Sequence, residues 1–426
     1  MSIAFILLLV SIVTIPALVI LDGVVAQYLF AALTAAALAA VGISARAGDV
    51  NFTAQVTRFL KLAAAVPAIW MVVQILPMPF WSHSIWINAN EALNQQSWGH
   101  ISVDFGKTFT ALAFYLGNVS LIVVGVFVTR DRRRAELTLL TLTAIITLTT
   151  ITLLIRRLIA GSATGDLNEM LSAVSSLGII LSLTGGVRAV ERSESRQAVP
   201  TPQNTQTALA LCGAELLVCA AGLAFSTTLN VGLTVAFGAI VFGSVQAIRR
   251  IGLASWAIGM FIATMVAAAA MIVLWRYDSA HMLSPFLQFA TAASPDTISV
   301  AQRILQDTGW QGTGAATYAQ LLPIYQEFGS SVTKAPSTAS AFAIELGWPM
   351  TLFIIAAAIG LIVMLYRGAL NRGRDSFYPA AATACTTLIF FQAFCDTSLL
   401  NSCVAMIGDV VIGLGLAQSV SNRESP

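Results

Sequence analysis

The chain has 426 residues, is 57% hydrophobic and only 10% charged, and has a mean hydropathy of +0.82. A soluble domain is about 25% charged, so these side chains cannot cover a water-facing surface and lipid must be the main solvent. The formal charge of +2 excludes little, whereas the placement of the 22 Lys and Arg says much more.

A membrane-crossing helix needs roughly 20 apolar residues. On that measure about twelve segments stand out, at 3–22, 24–44, 59–78, 108–129, 136–159, 168–187, 206–226, 230–247, 252–275, 348–366, 378–396 and 400–420. The first opens Met1-Ser2-Ile3 with no basic n-region and no cleavage site ahead of a soluble domain, so a retained span is expected. The expected fold class is an all-α polytopic membrane protein of about 12 transmembrane helices. Its single transmembrane domain covers residues 1–426, with one large outer loop, 276–347, between spans nine and ten. The five cysteines lie in or at the ends of apolar segments, with neither zinc spacing nor a disulfide framework, and read as small packing residues.

Orientation follows from the basic residues. With the N-terminus in the cytoplasm, sixteen of the 22 fall inside, and Lys107, Arg156, Arg157, Arg276, Arg303 and Lys334 fall outside. The positive-inside rule favours this arrangement, with both termini cytoplasmic. The shorter outer loop, 79–107, carries Trp81, Trp86 and Trp98, as expected of an interfacial aromatic belt. The polar interval 188–205 divides the spans six and six. That division also suits a two-halved transporter, although no sequence repeat relates the halves.

Several residues can carry chemistry. Glu215 falls within the seventh span, where an ionisable group is a functional candidate by default. It reads either as a proton relay or as a protonated side chain hydrogen-bonded in the bundle. Asp396, beside Thr397 and Ser398, reads as a helix cap. Arg156 and Arg157 stand at the outer end of the fifth span, against the charge trend. They either snorkel to the interface or, with Arg276 and Arg303, hold a diphosphate through guanidinium forks.

In the long loop a polar stretch, 302–308, suits a short helix. It is broken by Gly309-Trp310-Gln311-Gly312-Thr313-Gly314, where glycine permits a tight turn or close approach to a ligand. Tyr318, Tyr325 and Phe328 suit either sugar stacking or packing. Glu345, ahead of Gly347-Trp348-Pro349, reads as a catalytic carboxylate or as a helix-end partner. Neither a phosphate loop nor a metal-ligand cluster is present, so no cofactor, metal or nucleic-acid partner is expected.

These landmarks resemble the O-antigen ligase and O-antigen polymerase superfamily of bacterial inner-membrane proteins. Gly312-Thr-Gly314-Ala-Ala-Thr-Tyr318 is similar to that family's G-x-G-x-x-x-F/Y element. Leu322-Pro323-Ile324-Tyr325 and Glu345-Leu346-Gly347 resemble its Y-P-x-Y and E-x-G elements, and Ile101-Ser102-Val103-Asp104 with Thr108 resembles an earlier outer-loop pattern. The resemblance implies transfer of a glycan from an undecaprenyl-diphosphate carrier to an acceptor sugar at the periplasmic face. Its expected partners are that carrier-linked glycan, the acceptor glycan and membrane lipids.

The resemblance further implies arginines on the leaving diphosphate and a base, His281 or Glu345, on the acceptor hydroxyl. Two departures stand against it. Pro336-Ser337 occupies the place of the family's His-Asn pair, and neither residue titrates near neutral pH. Ser226-Thr227-Thr228-Leu229-Asn230 lacks the arginine of a second family motif. A non-catalytic assembly component and a lipid-linked-oligosaccharide flippase are therefore the alternatives.

Overall fold

The computed structural model describes residues 3–20, 24–45, 47–94, 98–160, 165–195, 202–226, 229–251, 291, 293–327, 332–372 and 375–419. The ninth expected span, Arg276 and His281 lie outside the described residues.

Helices dominate, and the described residues contain no strand beyond an isolated bridge between Pro77 and His100. In chain order they are α1 Ile3–Val13, α2 Ile15–Ile20, α3 Val24–Ser44, α4 Ala47–Val56, α5 Arg58–Ile75, α6 Ser84–Leu93 and α7 Phe105–Val128. Next come α8 Arg132–Ala160, α9 Gly165–Ser195, α10 Pro202–Ser226 and α11 Leu229–Ile251. The late part contains α12 Pro295–Asp307, α13 Tyr318–Tyr325, α14 Thr338–Glu345, α15 Trp348–Asn371, α16 Phe377–Gln392 and α17 Ser402–Ser419.

Nine of the described helices are long and apolar enough to cross a membrane, which makes the chain an all-α, multi-pass membrane protein. The other expected segments differ in form. The first is interrupted at Thr14, just before Pro16, whose missing N–H breaks the helical ladder. The eleventh is the 16-residue helix α16, with nearly all of its side chains buried among its neighbours. The short helix expected over 302–308 starts earlier, at Pro295, because the Ser294 hydroxyl caps it by accepting from the Thr297 amide at 3.3 Å.

Small residues set the packing. Water-driven burial does not hold helices together in lipid, so close backbone approach and interhelical bonds must do so. A β-carbon on Gly125 would lie 3.2 Å from the Gly413 Cα, which fixes the contact of α7 with α17. On Gly178 it would lie 2.4 Å from the Cys219 sulfur, where α9 meets α10. Buried hydroxyls return to their own helices: Thr184 donates to the Ile180 carbonyl and Thr383 to the Pro379 carbonyl. This satisfies polar groups where no water is available.

The two ends of the bundle are joined differently. At the arginine end, Arg130 pairs with Asp49 at 2.5 Å and Arg132 with Asp375 at 2.8 Å. There Arg188 and Arg192 both pair with Glu136, and Arg249 with Glu191. At the opposite, loop end, segments 70–108 and 291–348 interlock mainly through hydrogen bonds.

Candidate functional site: an interlocked loop around Glu345

The site is built where α14 ends. Ser337 starts that helix, accepting from the Ser340 amide at 3.1 Å while the Ser340 hydroxyl accepts from the Ser337 amide at 3.1 Å. The eight residues of α14 end at Glu345, and Gly347 then turns the chain into α15 with φ +83°. Loop 309–317 wraps around this junction. The Thr313 amide donates to the Ile344 carbonyl at 3.0 Å, and the Gly314 amide to the Glu345 carbonyl at 2.9 Å.

Gly312 has φ +77°, and a β-carbon there would sit 2.4 Å from the Glu345 carbonyl oxygen. One on Gly347 would sit 2.0 Å from the Trp310 carbonyl oxygen. Two backbones therefore approach each other more closely than any side chain permits.

The earlier loop-end segment locks into the same place. Gln74 in the last turn of α5 is fully buried, and its amide donates to the Gln311 carbonyl at 3.1 Å and the Glu345 carbonyl at 2.9 Å. The Trp70 indole donates to the Leu346 carbonyl at 2.8 Å. The Val103 amide donates to the Thr313 carbonyl at 2.8 Å, and the Thr108 hydroxyl to the Ala315 carbonyl at 3.1 Å. Asp104 starts α7 by accepting from the Lys107 amide at 3.0 Å, which holds Thr108 in reach.

Glu345 occupies the centre. Its carboxylate is buried and accepts from the Ala316 amide at 2.8 Å and the Tyr318 amide at 3.1 Å. Tyr318 is the first residue of α13, so the carboxylate satisfies an amide left free at a helix start and neutralises the positive end of that helix. Burial pushes the Glu345 carboxyl up to about 7, while the two amides pull the other way. Both oxygens are thus engaged in holding the loop. A proton taken up by Glu345 lowers the charge that these bonds rest on, so general-base work competes with the hold on the loop.

The expected site residues divide into groups. Glu345, Gly312, Gly314 and Tyr318 meet at this junction. The Tyr318 ring is buried among Val300, Ile304 and Leu321, so it packs the loop and offers no open face. Tyr325 is half-buried; burial, then a hydrogen bond to Asp307, raises its hydroxyl. Arg303 pairs with Glu327 at 3.1 Å. Arg156 donates to the Val19 carbonyl at 2.8 Å, at the end of α8 beside α2. Arg157, beside Arg156 at the end of α8, has a buried Nη1 with no hydrogen-bond partner among the described residues. Arg156 and Arg303 therefore have separate partners, and among the described residues none of the three bonds to Glu345. Ser337, in the place of the family's histidine motif, uses its hydroxyl to cap α14, and the Pro336 carbonyl accepts from Thr291 at 2.6 Å.

Two participants escape a reading of the sequence, as does one buried carboxylate outside the junction. Gln74 and Trp70 look like ordinary members of an apolar helix, and only their reach to residues 311, 345 and 346 gives them a role. Asp409 is a carboxylate within α17, and its buried Oδ2 has no hydrogen-bond partner among the described residues. A lone acid in an 18-residue apolar helix is the signal that marks it. Asp396 caps the following turn, accepting from the Ser398 amide at 3.0 Å. No family model matches the chain, and no curated protein matches it.

Proposed function

We propose that this protein is a membrane glycan ligase or polymerase that transfers a glycan from an undecaprenyl-diphosphate carrier to an acceptor sugar. It acts at the periplasmic face of a bacterial inner membrane, with both termini in the cytoplasm and about twelve spans around the loop 276–347. The product belongs to O-antigen or exopolysaccharide biosynthesis.

One observation carries this reading. Three of the four segments that prompted the resemblance close on one another around Glu345, although Ser102 and Glu345 stand far apart in the chain. Gly312-Thr-Gly314, Glu345-Leu-Gly347 and Ser102 to Thr108 share backbone and hydroxyl bonds. Such convergence is expected of a built site and not of three chance matches. Arg303 on α12 and Arg156 and Arg157 at the end of α8, all outside the junction, are the described loop-end arginines suited to a diphosphate.

The test is polymer transfer by the purified protein in lipid nanodiscs, with an undecaprenyl-diphosphate oligosaccharide as donor, beside analysis of surface polysaccharide in a deletion strain. Transfer in vitro that falls at least tenfold in Arg303→Ala supports the reading. Unchanged lipopolysaccharide and exopolysaccharide on deletion would sink it.

A second reading is a non-catalytic component of polysaccharide assembly. It is favoured by the engagement of both Glu345 oxygens and by the capping role of Ser337. Under that reading the deletion strain loses polymer while the purified protein transfers none.

A further inference from the structure

We propose that Trp81 and Trp310 form a platform for a sugar ring beside the Glu345 junction, an inference that rests on the glycan-transfer reading. Trp310 stands in the turn between Gly309 and Gly312, whose backbone is clamped by Gln74 and Gly347. Trp81 ends the short helical turn Pro79–Trp81. Their rings meet edge to face, with centroids 5.9 Å apart and planes at 79°. Trp70 lies 6.0 Å behind Trp310 at 37°, fixed by its own bond to the Leu346 carbonyl.

The result is an aromatic corner with a rigid back. Its two front rings stay open: Trp310 is 53% exposed and Trp81 44% exposed. Neither front indole N–H has a hydrogen-bond partner among the described residues.

The chemistry of such a corner selects its occupant. An indole has an electron-rich face and a polar N–H at its edge. A pyranose has the matching pair of surfaces, a face of C–H bonds that stacks on the ring and hydroxyl oxygens that accept from the N–H. An acyl chain fills the face but offers no acceptor to either donor. Perpendicular rings also hold a sugar on two sides, which fixes its orientation next to the junction. The platform thus gives the site a hold on the glycan that is separate from any hold on the diphosphate.

The test uses the full chain in nanodiscs and reads tryptophan emission. The probe is the pool of oligosaccharides released by mild acid from the host's own lipid-linked glycans and lipopolysaccharide. A saturable emission change is expected in the native protein. Trp310→Leu weakens the apparent affinity at least tenfold, Trp310→Phe less, and Trp98→Leu, which removes an indole 70% exposed outside the corner, not at all.

The emission lost in Trp310→Leu should be quenched by acrylamide and not by brominated phospholipid. No saturable change, an equal effect of Trp98→Leu, or quenching from the lipid side would each overturn the proposal. Failure here is distinguishable from failure of the transfer reading. Binding without transfer leaves the platform standing, and transfer with an unaltered KM in Trp310→Leu removes it.

Discussion

The two ends of this bundle solve the same joining problem with opposite chemistry. At the arginine end, carboxylates on neighbouring helices meet the guanidinium groups, as Glu136 meets Arg188 and Arg192. These side chains range from largely buried, at Glu136 and Arg188, to about half-exposed, at Arg132, and the long guanidinium arms can adjust. At the loop end Lys334 also pairs with Asp166 and Glu169 at 2.6 Å, but around Glu345 the join is made by backbone carbonyls, buried amides and glycines with positive φ, and little of it can give. The contrast teaches that charge placement can specify topology without rigidity, whereas a site needs bonds that tolerate only one geometry.

The sharpest way to break this contrast is Gly347→Ala. The new methyl would lie 2.0 Å from a backbone oxygen, at φ +83°. Backbone strain and overlap together cost about 3 kcal/mol or more, since neither neighbour is a flexible side chain. A fall in melting temperature with faster proteolysis around residue 310 is expected, and a variant that melts like the native protein would refute the interlock.

Glu345→Ala comes next, leaving the Ala316 and Tyr318 amides without an acceptor at a cost of about 2 kcal/mol. This residue also sets a pH dependence. Its carboxyl titrates at about 7 when folded, against 4.5 ordinarily, so the folded chain holds the proton longer than the unfolded one. Stability from this group is therefore present below about 4.5 and lost as pH rises to about 7. Glu345→Gln should flatten that slope in melting curves taken across the window.

The smallest effect belongs to the other end. Asp49→Asn removes the partner of Arg130, both side chains being about one-third exposed, and should cost about 0.5 kcal/mol or less. Added salt should shrink the difference further, and a loss comparable to that of Gly347→Ala would erase the distinction between the ends.

Much of the architecture was legible in the sequence because lipid imposes one simple demand, a run of apolar residues long enough to cross. Nine long helices answer to it directly. The Pro16 break and the 16 residues of α16 were harder to see, since hydropathy measures composition and not where hydrogen bonds stop.

The site was legible only in part. Gly312, Gly314 and Glu345 announced a tight turn beside a carboxylate, but not that the carboxylate would be used to hold the turn. Trp70 and Gln74 gave no sign, because their partners lie 276 and 271 residues away and contribute only backbone atoms. A carbonyl has no signature in a sequence.

That same separation governs how the protein is made. Gln74 leaves the ribosome 271 residues before Glu345 does. At cellular elongation rates the wait is on the order of 10 to 60 s. Throughout that interval the Gln74 amide, the Trp70 indole and the Val103 amide must persist without their final partners. The loop end thus records a late event in biogenesis, and a nascent chain halted before α15 should present an open, chaperone-accessible rim where the finished protein presents a closed one.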